Sequence, residues 1–332
     1  MSLITYREAL SAALWEEMER DERVFLVGED IGLGGGAFYI TKGFQQHFGR
    51  DRVVDAPLSE AGFTGAAIGA ALAGMRPVVE YQFADFVTEA FKMIVDFAAG
   101  NHYRRMGPVP IVLRLPSAAL VSGGPYHSVN PESWFFGTPG LKIVAPATAY
   151  DAKGMLKQAI RDDNPVIFME YKKFYNYRPA DLPPQLQIDV PESDYTVPFG
   201  QARTLREGED LTLLTFGTSV LEALEAAQVL EREGVSAEVI DLRTLVPMDK
   251  EAILRSVKKT GKLLILHEAR KRGGVGGEIA ALIAEEVFEH LDAPIRRVGA
   301  PDCPVPLSPP LEKAYLPGTA QVVGALRELA AF

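Results

Sequence analysis

The chain has 332 residues, 47 % of them hydrophobic, and a formal net charge of −10. That length suits two domains with sizeable cores, and the negative balance excludes a protein that coats nucleic acid, whose phosphates demand a cationic surface. A single cysteine, Cys303, excludes an intramolecular disulfide and suits a reducing compartment.

The elements alternate from the start. Apolar residues at helical spacing predict a helix over 6–20, then a buried strand over 24–27 and a glycine loop over 32–36. A helix is predicted over 59–74, a strand over 77–81 and a long amphipathic helix over 86–105. Strands over 111–114, 142–144 and 166–170, with a helix over 149–161, complete a first block. Short strands alternating with helices favour a mainly parallel sheet covered on both faces.

Prolines at 179, 183, 184, 191 and 198 disfavour regular structure, so a linker is placed over 179–200 between a first domain, 1–178, and a second, 201–332. In the second block, strands over 211–216, 237–242, 262–266 and 295–298 alternate with helices over 220–233, 249–258 and 276–291. A final helix runs over 321–331. The fold class is therefore α/β in two domains, each with a mainly parallel sheet.

The longest weakly polar run, 61–75, is rich in Ala and Gly and shorter than the roughly 20 apolar residues that cross a bilayer. The first ten residues show no basic stretch followed by an apolar core. Both points predict a chain away from the membrane that is cytoplasmic, or organellar with any targeting segment absent. Arg104-Arg105 and Arg270-Lys271-Arg272 are too short to reverse the acidic balance.

The stretch 57–86 reads PLSEAGFTGAAIGAALAGMRPVVEYQFADF. Ser59 is placed to cap a helix whose first turn holds Glu60. Taken alone, Glu60 is an acid on a helix dipole, a contribution of about 0.3–1 kcal/mol. The small residues that follow offer little side-chain area but let another backbone approach closely, as a subunit interface requires.

This stretch resembles the beta subunits of thiamine-diphosphate-dependent 2-oxo acid dehydrogenases, of the pyruvate, branched-chain and acetoin types. The resemblance runs through GED at 28–30, YHS at 126–128, GLKIVAP at 140–146 and AYDAKGMLKQAIRDDNPVIFME at 149–170. It continues in EVIDLRTLVPMD at 238–249 and KTGKLLILHEA at 259–269. It implies the pyrimidine-binding and C-terminal domains of the transketolase architecture.

Several roles follow from the resemblance. The residue matching Glu60 bonds a ring nitrogen of the thiamine aminopyrimidine and favours the imino tautomer, whose exocyclic nitrogen is the base for the thiazolium carbon. Leu58, Phe83 and Phe86 are expected beside the pyrimidine, with Phe86 standing where relatives often carry a tyrosine. His127, in the loop SGGPYHSVNPE, matches an active-site histidine that moves a proton or stabilises charge during acyl transfer to a lipoyl arm. Where many relatives follow His-Ser with Gln or Asp, this chain has Val129. Relatives also hold potassium on carbonyls matching Ile111, Ala159, Ile160, Asp162 and Asn164; read alone, that stretch is a helix end stopped by Pro165.

The Gly-Asp-Gly mark of a magnesium–diphosphate site is absent, and Gly208-Glu209-Asp210 is its nearest string. Magnesium and the diphosphate are therefore expected on an alpha subunit, in an alpha2beta2 heterotetramer that also docks a lipoyl acyltransferase core. Glu29 and Asp30 read as structural, and His267-Glu268 as a weak metal candidate without a Cys/His cluster. GGVGG at 273–277 lacks a phosphate-loop pattern. Other readings are an acetoin dehydrogenase beta subunit, half of a split transketolase or deoxyxylulose-phosphate synthase, and a non-catalytic assembly subunit.

Overall fold

The computed structural model describes residues 2–119 and 122–332. Helix α1 (Tyr6–Arg20) begins where Thr5 and Glu8 cap each other reciprocally, satisfying two free amide donors. Strand β1 (Val24–Gly28), helix α2 (Phe44–Phe48), strand β2 (Val53–Asp55), helix α3 (Glu60–Leu72) and strand β3 (Arg76–Glu80) follow. Then come β4 (Val112–Ser117), α4 (Glu132–Phe135), β5 (Lys142–Val144), α5 (Ala149–Arg161) and β6 (Val166–Tyr171). Every residue of β4 and β6 is buried, as strands covered on both faces must be.

The second half contains β7 (Arg203–Arg206), β8 (Leu211–Thr215), α6 (Ser219–Glu231), β9 (Ala237–Asp241), β10 (Thr244–Val246) and α7 (Lys250–Thr260). It ends with β11 (Leu263–Arg270), α8 (Val275–Glu286), β12 (Arg296–Ala300), α9 (Pro309–Tyr315) and α10 (Thr319–Ala330). Two sheets result, ordered β10-β5-β6-β4-β3-β1-β2 and β12-β11-β8-β9-β7. All pairings are parallel except β10 on β5 and β7 on β9. The α/β expectation holds for both. Residues 179–186 form two short 3-10 turns, and Val190 bridges to Ser2.

Strand β10 belongs by sequence to the second half yet completes the first sheet. Nearby, Asp151 of α5 holds Arg243 at 2.9 Å and Arg203 at 3.1 Å. Main-chain and ionic bonds therefore lock the halves together.

Two expectations need correction. The continuous helix over 86–105 is not formed; a 3-10 segment, Ala84–Ala90, passes into a π segment, Met93–Ala99, and turns follow. The wider π winding sets residues five apart above one another, so Ile94 and Ala99 are both buried beside Ala98. Ser59 occupies the N-cap position of α3, but its side chain makes no capping bond. Its φ of −165° and ψ of 76° depart from the usual cap geometry.

Candidate active site

In an open parallel sheet, chemistry gathers outside the carboxyl ends of the strands. Glu29 directly follows β1 and is buried, yet neither carboxylate oxygen has a partner. Burial raises its pKa, and the Glu60 and Asp30 charges raise it further. Glu60 opens α3, half-buried, and is close enough for its charge to act on Glu29. Glu29, read from sequence as structural, is thus a buried carboxyl without a bonding partner beside Glu60.

Beneath them lies a buried ionic cluster. Arg114 of β4 donates to Glu170 of β6 at 2.5 and 2.9 Å and to Glu80 of β3. Tyr175 donates to Glu170 at 2.6 Å. Burial opposes the Arg114 charge, but the two glutamates overcome it and hold its pKa above the ordinary value. Tyr81 and Thr64 share a hydroxyl bond at 2.6 Å, joining α3 to the residue after β3.

The aromatic residues and the histidine do meet. The His127 ring stands 4.4 Å from Phe83 and 5.7 Å from Phe86, edge to face with both. The Lys172 ammonium lies 5.7 Å from the Phe83 ring centre, and burial lowers its pKa to about 8. Leu58 is 83 % exposed, an apolar side chain on the open side of the site. A half-buried Glu60, an unpartnered Glu29, and Leu58 with the Phe83–Phe86 pair suit a flat, protonatable heterocycle; they lack a basic cradle for its diphosphate.

The loop carrying His127 is held from several sides. Ala118 donates to the Val129 carbonyl at 3.0 Å and Val129 to Asp85 at 3.2 Å. From the second half, Glu268 accepts from Ala119 at 2.7 Å, Asn130 at 3.2 Å and Thr218 at 2.5 Å. Glu312 accepts from Ser122 at 2.9 Å. Sequence reasoning missed these carboxylates, because 149 residues separate Glu268 from Ala119. Among the described residues, no group of three or more His, Cys, Asp or Glu is arranged to hold a metal.

The carbonyls named for potassium cluster at the end of α5. Those of Ile160 and Asp162 each accept from Arg76 at 3.0 Å, Ala159 accepts from the Asp162 amide, and Ile111 from Val166. Lys142 lies 2.5 Å from the Asp162 carboxylate, and Asn164 donates to the same carboxylate. Each carbonyl keeps a second lone pair, beside two cationic side chains.

Residues 2–178 match the transketolase pyrimidine-binding domain and residues 200–322 the transketolase C-terminal domain. The 2-oxoisovalerate dehydrogenase subunit beta of Bacillus subtilis (strain 168) is 47 % identical over 335 residues, all of both chains. The chain belongs to the 2-oxo acid dehydrogenase beta-subunit family. Two further members of that family are each 44 % identical over 98 % of this chain: the mitochondrial pyruvate dehydrogenase E1 component subunit beta of Dictyostelium discoideum, 91 % covered, and the Rickettsia felis protein of that name, 98 % covered. A solved structure described as a split gene transketolase, inactive beta4 tetramer, superposes with a TM-score of 0.80 over 99 % of both chains. At 24 % identity it shows the fold alone. Among the described residues, no helix is long and apolar enough to cross a membrane.

Proposed function

We infer that this chain is the beta subunit of the decarboxylating component of a 2-oxo acid dehydrogenase complex, working with an alpha subunit on pyruvate or a branched-chain 2-oxo acid. End-to-end similarity to pyruvate and 2-oxoisovalerate dehydrogenase beta subunits carries this reading. The half-site at the carboxyl edge of the first sheet supports it.

Thiamine diphosphate, when bound, supplies a nucleophilic thiazolium carbon for the 2-oxo group. In this proposal Glu60 holds a proton at the aminopyrimidine ring nitrogen. Leu58, Phe83 and Phe86 frame the ring. The diphosphate and magnesium belong to the alpha subunit, so the active site is completed at the interface. His127 serves proton transfer or charge stabilisation as the acyl group passes to a lipoyl arm. The lipoyl acyltransferase core is the second partner, and potassium on the α5-end carbonyls is a further part of the proposal.

Reconstitution tests it. The chain is mixed with its cognate alpha subunit, and dye reduction is followed with pyruvate, branched-chain 2-oxo acids and acetoin. Glu60→Gln is expected to assemble normally and to lose decarboxylation by at least roughly 100-fold. Near-normal turnover in that variant refutes the role of Glu60, and turnover with acetoin alone moves the substrate class.

A further inference from the structure

The second half of the chain is more than an assembly domain. Its side chains reach across to the loop that carries His127 and bond the backbone there. Glu268 stands near the end of β11 and spans three groups: one oxygen takes the Ala119 amide at 2.7 Å and the Asn130 side chain at 3.2 Å, the other the Thr218 hydroxyl at 2.5 Å. Ala119 and Asn130 stand on either side of His127. Glu312, buried on α9, takes the Ser122 amide at 2.9 Å between them.

The bonded points are those that need holding. Ala118 has φ of 73° and Ser122 φ of 65°, the left-handed region that residues with a Cβ disfavour. Such geometry persists only where surrounding contacts over-determine it. The Glu268 bond falls on the amide directly after Ala118, and the Glu312 bond on Ser122 itself. Carboxylate acceptors make stronger, shorter bonds to amides than neutral acceptors do. Gly124, at φ of 65°, lies under Leu307, whose Cδ1 would stand 3.0 Å from an added Cβ. Among the described residues, the first half contributes one such anchor, Asp85 on the Val129 amide.

We propose that Glu268, supported by Glu312, is a positioning residue of the second domain: it ties the Ala119 backbone on one side of His127 to the Asn130 side chain on the other, so that the imidazole stays against Phe83 and Phe86. Its expected effect on acyl transfer rests on the reading of His127 given above. The geometric part, the fixing of the loop, does not.

The two parts are separable by experiment on the chain assembled with its alpha subunit. Glu268→Ala, Glu268→Gln, His127→Ala and the Glu268→Ala/His127→Ala double variant are compared. Hydrogen exchange over residues 119–130 reads the loop directly; acylation of a lipoyl domain reads the chemistry. Glu268→Ala is expected to speed exchange at Ala119 and to lower kcat for acylation roughly 10–100-fold, the scale of a misplaced catalytic group. Glu268→Gln, whose amide oxygen still accepts from Ala119, is expected to restore most of both. In the His127→Ala background, Glu268→Ala is expected to add less than about 2-fold, since residues that act as one unit are non-additive. Unchanged exchange in Glu268→Ala, or a full additional loss in the double variant, overturns the proposal. If His127→Ala alone acylates normally, the role of His127 falls, while the exchange data still decide whether Glu268 holds the loop.

Discussion

Replacing Arg114 with methionine probes the cluster beneath the site. Arg114 and Glu170 are 0 % exposed and Glu80 5 %, so the variant leaves two buried carboxyls without their cation. Breaking a buried pair from one side costs about 3–5 kcal/mol. With a urea slope of ~3 kcal/mol/M, that lowers the unfolding midpoint by about 1–1.7 M. The loss has a sign in pH. Burial already raises Glu80 above its ordinary pKa, and removing the Arg114 charge that opposes this raises it further. A carboxyl with a raised folded pKa contributes its full stability below its unfolded pKa and loses it as pH rises through the folded one. The destabilisation is therefore expected to be larger at pH 8 than at pH 5. Adding Glu80→Gln and Glu170→Gln removes the stranded charges and is expected to recover much of it. Urea unfolding of the purified chain, followed by circular dichroism, is the assay. A loss under about 1 kcal/mol at pH 8, or one independent of pH, refutes the electrostatic account.

Two further outcomes are expected. Burial pushes the Asp241 carboxyl up to about 7, with Asp151 adding to the rise, and one of its oxygens has no partner. By the same sign, Asp241→Asn is expected to stabilise the chain increasingly from pH 5 to pH 8, by on the order of 2–3 kcal/mol, and a flat difference in urea midpoints across that range counts against it. If the second lone pairs of the Ile111, Ala159, Ile160, Asp162 and Asn164 carbonyls take potassium, potassium chloride raises the melting temperature above choline chloride at equal ionic strength, by the equivalent of about 1–3 kcal/mol at saturation. Equal melting temperatures in the two salts remove potassium from the proposal.

The α/β alternation was legible because strand and helix periods differ and because buried parallel strands such as β6 open on an apolar run, Val166 to Met169. Strand β10 was not: three residues carry no period, and only tertiary packing assigns Thr244–Val246 to the opposite sheet. The helix expected over 86–105 failed for a related reason, since apolar spacing of four and five fits α and π windings alike. At the site, the aromatic pair and His127 were named from sequence and do meet, whereas Glu29 was set aside as structural. A carboxyl without a bonding partner looks the same in sequence as one that is paired. Glu268 was harder still, because one of its partners is a backbone amide, which every residue carries, and the other two, Asn130 and Thr218, lie far from it in sequence.

That last case bears on how the two halves cooperate. The first half holds Glu60, Phe83, Phe86 and His127, so a one-domain account of the beta-side chemistry looks sufficient. Yet two of the carboxylates that bond the amides of the His127 loop come from the second half, and β10 ties that half to the edge of the first sheet. A shift between the halves therefore moves the Glu268 and Glu312 anchors relative to Phe83, and with them the edge-to-face contact at 4.4 Å that orients the imidazole. Loosening the clasp at a distance, by Arg243→Ala at the Asp151 pair, should thus speed exchange at Ala119 although no residue of the site has changed. If the loop exchanges normally in that variant, the halves are joined but not coupled, and Glu268 holds the loop locally.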